Sequence, residues 1–298
     1  MEKILLVTDA ANDLTREAMG QAPIFIVPAT VCYEDKEFKE FFDIEPQDFW
    51  DTLERLDEIP VTQHASPADF VACYKKAMEE GYTHIVVSTV SATASGVLSA
   101  SMLARDLLSE EIGALAMPEI AFVDSRGYSM MYGRIILEAA ALIAGGASFA
   151  EVVRAMEDSV SRSEALFMVY SLKHIRKSGR ISGMSAFVGE AMGLRPILRC
   201  IDGAINPIER VRGDKKLIPR MLELVREFCV EPQNQDFYLV YAKLATEEID
   251  LAESELRRVF APRNVHRAPI GPSVTVNTGP RCMGIVYYGA KRNNTNKN

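Results

Sequence analysis

THIVVSTVSATASGVLSASMLARDLL, residues 83–108, sets a β-branched apolar run against a helical pattern, with a hydroxyl-rich link between them. THIVVSTV (83–90) reads as a buried strand. VLSASMLARDLL (97–108) repeats Val97, Leu98, Met102, Leu103 and Leu107 at helical spacing. Residues 91–96 are then a βα loop. Working outward, KILLVTD (3–9) is a buried strand ending in an aspartate, and IFIVPATV (24–31) is another. EIAFVDS (119–125) is a further strand, followed by a long apolar helix within 128–145 that Gly145-Gly146 breaks. Another helical stretch runs to about residue 162. Pro46 and Pro67 stand where helices begin, with Glu45 and Ser66 just before them. Strands alternating with helices specify a parallel sheet covered on both faces.

From ALFMVY (165–170) the rhythm changes. A basic helical segment and an apolar helix lead to PILRCIDGAINPIERV (196–211), a hairpin turning at Asp202-Gly203. A helix (214–229), the strand DFYLVYA (236–242), an acidic helix (246–258) and a strand near 264–268 follow. The Gly/Pro-rich stretch 269–284 leads to MGIVYYG, the last strand, and NTGPRCMG (277–284) within that stretch reads as a rigid Gly-Pro loop. The expected fold class is α/β with two α/β domains: a parallel-sheet, Rossmann-like domain over 1–163 and a mixed-sheet domain over 164–290. The polar tail 291–298 is expected to be disordered.

Composition narrows the function. The 298 residues carry 41 acidic and 33 basic side chains, a formal charge of -8, which argues against nucleic acid as a partner. Cys32, Cys73, Cys200, Cys229 and Cys282 are scattered without a CxxC pair, so neither a zinc motif nor a disulfide framework is expected. The N-terminus lacks the form of a signal peptide, and no apolar run approaches the ~20 residues of a membrane span. The expectation is a cytoplasmic protein without stable membrane insertion. Around Ser95 the glycines of a nucleophile elbow are out of place, and neither a G-x-G-x-x-G after the first strand nor a Walker A lysine motif occurs. His64, His84, His174 and His266 form no metal-ligand spacing, so no metal site and no catalytic residue are assigned.

Ligands of open parallel sheets collect beyond the carboxyl ends of the strands. There the first amides of the helix after 91–96 carry partial positive charge, and Gly96 allows close approach to the backbone. Ser95 either caps that helix or helps hold an anion; loop chemistry alone leaves both open. Thr62 and Ser66 in PVTQHASP (60–67) share the ambiguity, with the cap favoured for Ser66. Lys173, Arg176, Lys177 and Arg180 place four cations in eight positions of an acidic chain, a solvated face or a surface for an acidic partner. NTGPRCMG (277–284) carries Asn277, Thr278 and Arg281.

Together these stretches resemble the DegV family, the fatty-acid-binding subunits of bacterial fatty acid kinase. TDAANDL (8–14) is similar to the family's T-D-S-x-x-D-L, and PVTQHASP to its P-T-T-S-Q-P-S-P. SATASGVLSA resembles S-x-x-S-G-T-Y-x-S-A, VDSRGYSMMYG resembles D-S-x-x-x-S-x-G-x-G, and IRKSGRIS resembles L-x-K-G-G-R-I. PILRCIDGAINPIERVRGDKK follows K-P-I-L…D-G-x-I-x-P…K-V-R-G-x-K-K, so the likeness covers almost the whole chain in order. It implies a non-catalytic lipid-binding subunit that keeps one long-chain fatty acid in an apolar tunnel, with the carboxylate between the domains. The fatty acid is a ligand, and no other cofactor is implied. A separate ATP-binding kinase subunit would phosphorylate the carboxylate to an acyl phosphate. Carried over, Thr62 and Ser95 hydrogen-bond the carboxylate and Gly96 gives the close approach. Asn277, Arg281 and Arg180 complete the ligand site, while Lys173, Arg176, Arg210 and Arg212 serve kinase docking. Met184, Phe187, Val188 and Met192, at helical spacing, either line the tunnel or pack as ordinary core.

The chain departs from the pattern at the family's H-x-G-P-G, which here reads Asn277-Thr278-Gly279-Pro280-Arg281. Asparagine cannot carry positive charge, and Arg281 is a candidate replacement cation. Ala10, Gln63-His64 and Val97-Leu98 also differ from the family residues. Two other readings stand beside the carrier: a binder of another small amphipathic acid, and a hydrolase or transferase with Ser95 as nucleophile. The absence of a positioned histidine–acid pair argues against the last.

Overall fold

The computed structural model describes residues 2–170, 172–180 and 194–292. The chain runs β1 (Ile4–Asp9), α1 (Arg16–Met19), β2 (Ile24–Val27), β3 (Thr30–Tyr33), β4 (Lys36–Lys39), α2 (Pro46–Arg55), β5 (Val61–Gln63) and α3 (Pro67–Glu79). It continues with β6 (His84–Thr89), α4 (Val97–Ile112), β7 (Glu119–Asp124), α5 (Met130–Ala144) and α6 (Phe149–Val160). Then come β8 (Ser163–Val169), α7 (Leu172–Ser178), β9 (Leu194–Ile201), β10 (Ala204–Arg212) and α8 (Leu217–Phe228). The last elements are β11 (Asp236–Ala242), α9 (Thr246–Phe260), β12 (Asn264–Pro269), α10 (Pro272–Thr278) and β13 (Cys282–Tyr288).

Two compact units result. One comprises the chain up to Ile44 with Val61–Val160, the other Glu45–Pro60 with the chain from Ser161. A single cut at residue 163 therefore misses an excursion. Helix α2 lies in the second unit, where Trp50 donates from Nε1 to the Ile270 carbonyl at 2.9 Å and Lys243 pairs with Asp51 at 2.7 Å.

The first unit is built on a parallel sheet of order β2-β1-β6-β7. β1 is buried along its whole length, as its unbroken apolar run requires. Leu5, Val7, Ile85 and Val87 pack on one face against Phe70 and Tyr74 of α3 and Ala104 and Leu108 of α4. From β1 the chain steps to β2 on one side and later returns to β6 on the other. The strand order thus reverses between β1 and β6, and at such a switch point the carboxyl ends of the strands diverge into a crevice.

IFIVPATV is not one strand. β2 ends at Val27, and Pro28, without an N–H to give a ladder, separates it from β3. β3 belongs to a small antiparallel sheet of order β4-β3-β5.

The second unit holds a six-stranded sheet, β10-β9-β8-β13-β11-β12, in which only β11 and β12 pair in parallel. The β9–β10 hairpin turns at Asp202 and Gly203, both with positive φ (50° and 78°), the two-residue turn whose twist matches the strands. Its core gathers Leu166, Ile197, Met221, Phe237, Leu256 and Tyr287. Two expectations are corrected. Asn277 and Thr278 end helix α10 rather than lying in a loop, because Pro272 starts a helix at its first turn. Arg292 is seated, not part of a disordered tail: its amide donates to Ser161 O, and its guanidinium pairs with Glu164 at 3.2 Å and Asp202 at 3.0 Å.

Among the described residues no helix is long and apolar enough to cross a membrane. All five cysteines are free. The segment holding Met184, Phe187, Val188 and Met192 lies outside the described residues.

Candidate functional site

The first unit's polar cluster is anchored by Asp9 at the end of β1. Its carboxylate accepts from the amides of Ala11 (3.0 Å) and Val90 (2.9 Å) and from the phenol of Tyr132. Burial pushes the Asp9 carboxyl above its ordinary range, opposed by Tyr132, the two amides and the nearby His64. At the end of β7, Asp124 Oδ1 does the same work, accepting from Ala92 N (3.1 Å) and Arg126 N (3.0 Å). The 91–96 loop is therefore tied to two strand ends. Ser91 N donates to Gly127 O, and Ser91 O accepts from Ala94 and Ser95.

What is left over is the start of α4. Gly96 is its N-cap residue, without any side-chain cap. Val97 N reaches Ser95 Oγ only at 3.4 Å. Among the described residues the amides of Gly96, Leu98 and Ser99 meet no acceptor. Uncompensated amides at the head of a 16-residue helix form a donor set for an anion. Ser66, by contrast, is a true cap: it forms a capping box with Asp69 at the start of α3.

His64, two residues after Thr62 on the same segment, lies against Gly96, the residue after Ser95. Thr62 sits half-buried on β5 opposite Val31, and its hydroxyl has no hydrogen bond among the described residues. Two residues on, His64 holds Nδ1 2.8 Å from the Ala65 carbonyl. Its Nε2 lies 3.2 Å from where a Cβ on Gly96 would be. Gly96 has φ -78° and ψ 3°, which any residue adopts, so space beside the imidazole rather than backbone freedom is what this glycine provides. The sequence passed over His64 because a lone histidine carries no spacing signal. Its place inside PVTQHASP, two residues from Thr62, was the available clue.

The second unit's candidates separate into two groups. Asn277 Oδ1 accepts from Arg180 Nη1 at 2.8 Å, and Asn277 Nδ2 donates to Ser273 O one turn back on α10. Arg281 makes a two-pronged pair with Glu248 (2.7 and 2.8 Å) and lies 3.9 Å over the Tyr170 ring, a partnership that occupies its charge. Burial pushes the Tyr170 phenol up to about 12, with Arg281 acting against it. Lys173 and Arg176 are exposed on α7, and Arg210 and Arg212 are exposed on one face of β10. His174, buried on α7, is held below its ordinary range by burial and then by Lys173 and Lys177.

A cavity of about 540 Å³ also exists in the first unit, lined by Arg16, Phe25, Phe41, Phe42, Cys73 and Lys76 among others. Thr62 and Ser95 are not among its walls.

Comparison with known proteins decides the family. A family model described as an uncharacterised protein of the DegV family matches residues 3–290. The chain belongs to the DegV family. A DegV domain-containing protein of Clostridium acetobutylicum is 28% identical over 289 residues, covering 97% of this chain and 99% of the relative. One from Caldanaerobacter subterraneus is 25% identical, covering 96% and 99%. Among solved structures, DegV of Bacillus subtilis, described as a fatty acid binding protein, superposes with a TM-score of 0.83 at 24% identity over 97% of this chain and 100% of that one. A stearic acid-binding protein of Eubacterium ventriosum gives 0.85 at 21% identity over 97% and 98%. These likenesses establish the two-domain α/β fold of the DegV proteins for this chain.

Proposed function

We propose that this DegV protein is a fatty-acid carrier whose head-group site is the uncapped start of α4. The observation that carries the reading is the set of amides without an acceptor at the head of α4, those of Gly96, Leu98 and Ser99, with Ser95 Oγ next to them on the same loop and His64 against Gly96. A carboxylate satisfies such donors without needing a covalent step. Solved DegV proteins of the same fold are described as binding fatty acids, which supports that ligand class.

The energetics suit a carrier. Burying about 15 methylenes at ~0.8 kcal/mol each contributes roughly 12 kcal/mol before the cost of association. Each charge-assisted hydrogen bond at the head adds about 1.5–3 kcal/mol. The tail supplies most of the affinity and the α4 donors fix where the carboxylate points. No nucleophilic role is given to Ser95. His64 is the one histidine near it, and its Nδ1 faces a backbone carbonyl where a catalytic base would need an acid.

The carrier reading extends to presentation of the carboxylate to a separate ATP-using subunit for phosphorylation, with Lys173, Arg176, Arg210 and Arg212 as exposed cations for an acidic partner. Native mass spectrometry of the purified full chain, before and after organic extraction, tests the binding step. Extractable acyl chains at one per protein are expected. Turnover of activated esters by the protein alone would replace the carrier with the hydrolase.

A further inference from the structure

We infer that His64 is the cation of the head-group site and makes this protein select ionised acids over neutral lipids of the same length. The inference rests on the carrier reading and adds to it a residue and a pH signature. A carbonyl oxygen only accepts, so the 2.8 Å contact between His64 Nδ1 and Ala65 O keeps a proton on Nδ1. The nitrogen whose protonation changes is then Nε2. It stands against Gly96, at the head of the helix whose first amides are free. An anion received by those amides lies beside Nε2, and a protonated Nε2 donates to it as a third kind of donor.

The other histidines are placed elsewhere. His84 faces Glu2 and Glu119, His174 is buried on α7, and His266 contacts Asp236 at 3.1 Å. Asp9, buried at the end of β1, is the titratable group whose electrostatic interaction reaches the His64 ring. The loop from Ser91 to Gly96 carries no charged residue. Asp69, further along its own segment, accepts from Ser66 N at 2.8 Å and Ser66 Oγ at 2.7 Å.

Linkage gives the direction. An imidazolium–carboxylate pair forms only while the ring is protonated, so affinity for an acid is highest on the acid side of neutrality and falls as pH rises. A neutral alcohol gains nothing from the charge. The experiment titrates the full-length, delipidated protein and its His64→Gln variant with palmitate and with hexadecanol, from about pH 5.5 to about pH 8.5. Relative to H64Q, the parent protein is expected to gain about tenfold in palmitate affinity at the acid end. The two proteins are expected to bind hexadecanol equally at every pH. Comparing the two proteins cancels palmitate's own ionisation. Palmitate binding with the same pH slope in both proteins would overturn the role of His64 and leave the carrier standing. Failure of the parent protein to bind palmitate at any pH would overturn both. Because the His64 ring is exposed, equal thermal unfolding of the two delipidated proteins is the accompanying check that the variant is folded.

Discussion

Tyr132, on the first turn of α5, donates its phenolic hydrogen to Oδ1 of Asp9 at the end of β1, 123 residues earlier in the chain. Both groups are buried, and Asp9's other oxygen accepts from Val90 at the end of β6. One carboxylate thus holds together the two strand ends that flank the switch point and the helix that packs on them. Tyr132→Phe removes the phenol's bond to a buried oxygen and should cost about 1–3 kcal/mol in urea unfolding. A loss below a few tenths would show that the contact is incidental.

Asp9 also gives a pH signature. Its carboxyl is raised above 3.8 by burial, so the folded state holds its proton more tightly than the unfolded chain does. Stability from this group is therefore fully present below pH 3.8 and is lost as pH rises through the higher folded value. Asp9→Asn cannot titrate. The stability of the parent protein minus that of Asp9→Asn should be greatest at the acid end and shrink toward neutrality, measured by urea unfolding across that range. A constant difference would mean that the carboxyl is not perturbed.

Gly96→Ala tests the contact at the head of α4. The added methyl would sit 3.2 Å from His64 Nε2, so the imidazole must give by a few tenths of an ångström, while the backbone angles suit alanine. Unfolding of the delipidated protein should change by less than about 1 kcal/mol. Retention of palmitate should drop several-fold because the ring no longer lines the approach to the amides. Unchanged retention would place the ligand elsewhere.

The strands and helices of the parallel sheet were legible because burial on both faces forces continuous apolar runs such as ILLV and IVV. The Asp202-Gly203 turn was legible because glycine and aspartate accept positive φ at low cost. The turn between β3 and β4 was not, since Glu34 and Asp35 both adopt positive φ (49° and 57°) without a glycine to announce it. Helix α2 read correctly as a helix, beginning at Pro46. That its Trp50 docks on Ile270, far along the chain, is a long-range fact no local pattern carries. For the proposed site, loop chemistry and motif singled out Thr62, Ser95 and Gly96, and the structure shows Gly96 at the uncapped start of α4. His64 was not singled out, because its meaning comes from a ring placed against Gly96 rather than from its neighbours in sequence. Arg281 offered a cation by type, but the Glu248 carboxylate that holds it lies 33 residues away.

Gly289 lies close against the Glu164 carboxylate in the second unit. Glu164, 3% exposed, accepts from Arg199 Nη2 at 2.7 Å and Arg292 Nη1 at 3.2 Å. A Cβ on residue 289 would lie 2.5 Å from its Oε1. Gly289→Ala must displace this carboxylate and should cost about 1–3 kcal/mol. Glu164→Gln takes the carboxylate from Arg199, while Arg292 keeps Asp202, and should cost about 3 kcal/mol. The double variant should cost less than the sum, because the displaced group is the one already neutralised. Additive losses in denaturant melts would separate the two effects.

Two serines of the same chemistry distinguish structure from binding. Ser66 closes a capping box on α3, with its hydroxyl and Asp69 satisfying two amides reciprocally. Ser66→Ala should therefore cost about 1 kcal/mol in the delipidated protein and leave palmitate retention near that of the parent. Ser95 is not the cap of α4, and its Oγ reaches Val97 N only at 3.4 Å. Ser95→Ala should unfold within about 0.5 kcal/mol of the parent yet release palmitate about tenfold faster, as the loss of one charge-assisted bond implies. Thermal melts and lipid-transfer rates, run side by side on both variants, read the two effects independently. Equal destabilisation by the two substitutions, with no change in transfer, would make Ser95 a structural residue and remove the hydroxyl from the head-group site.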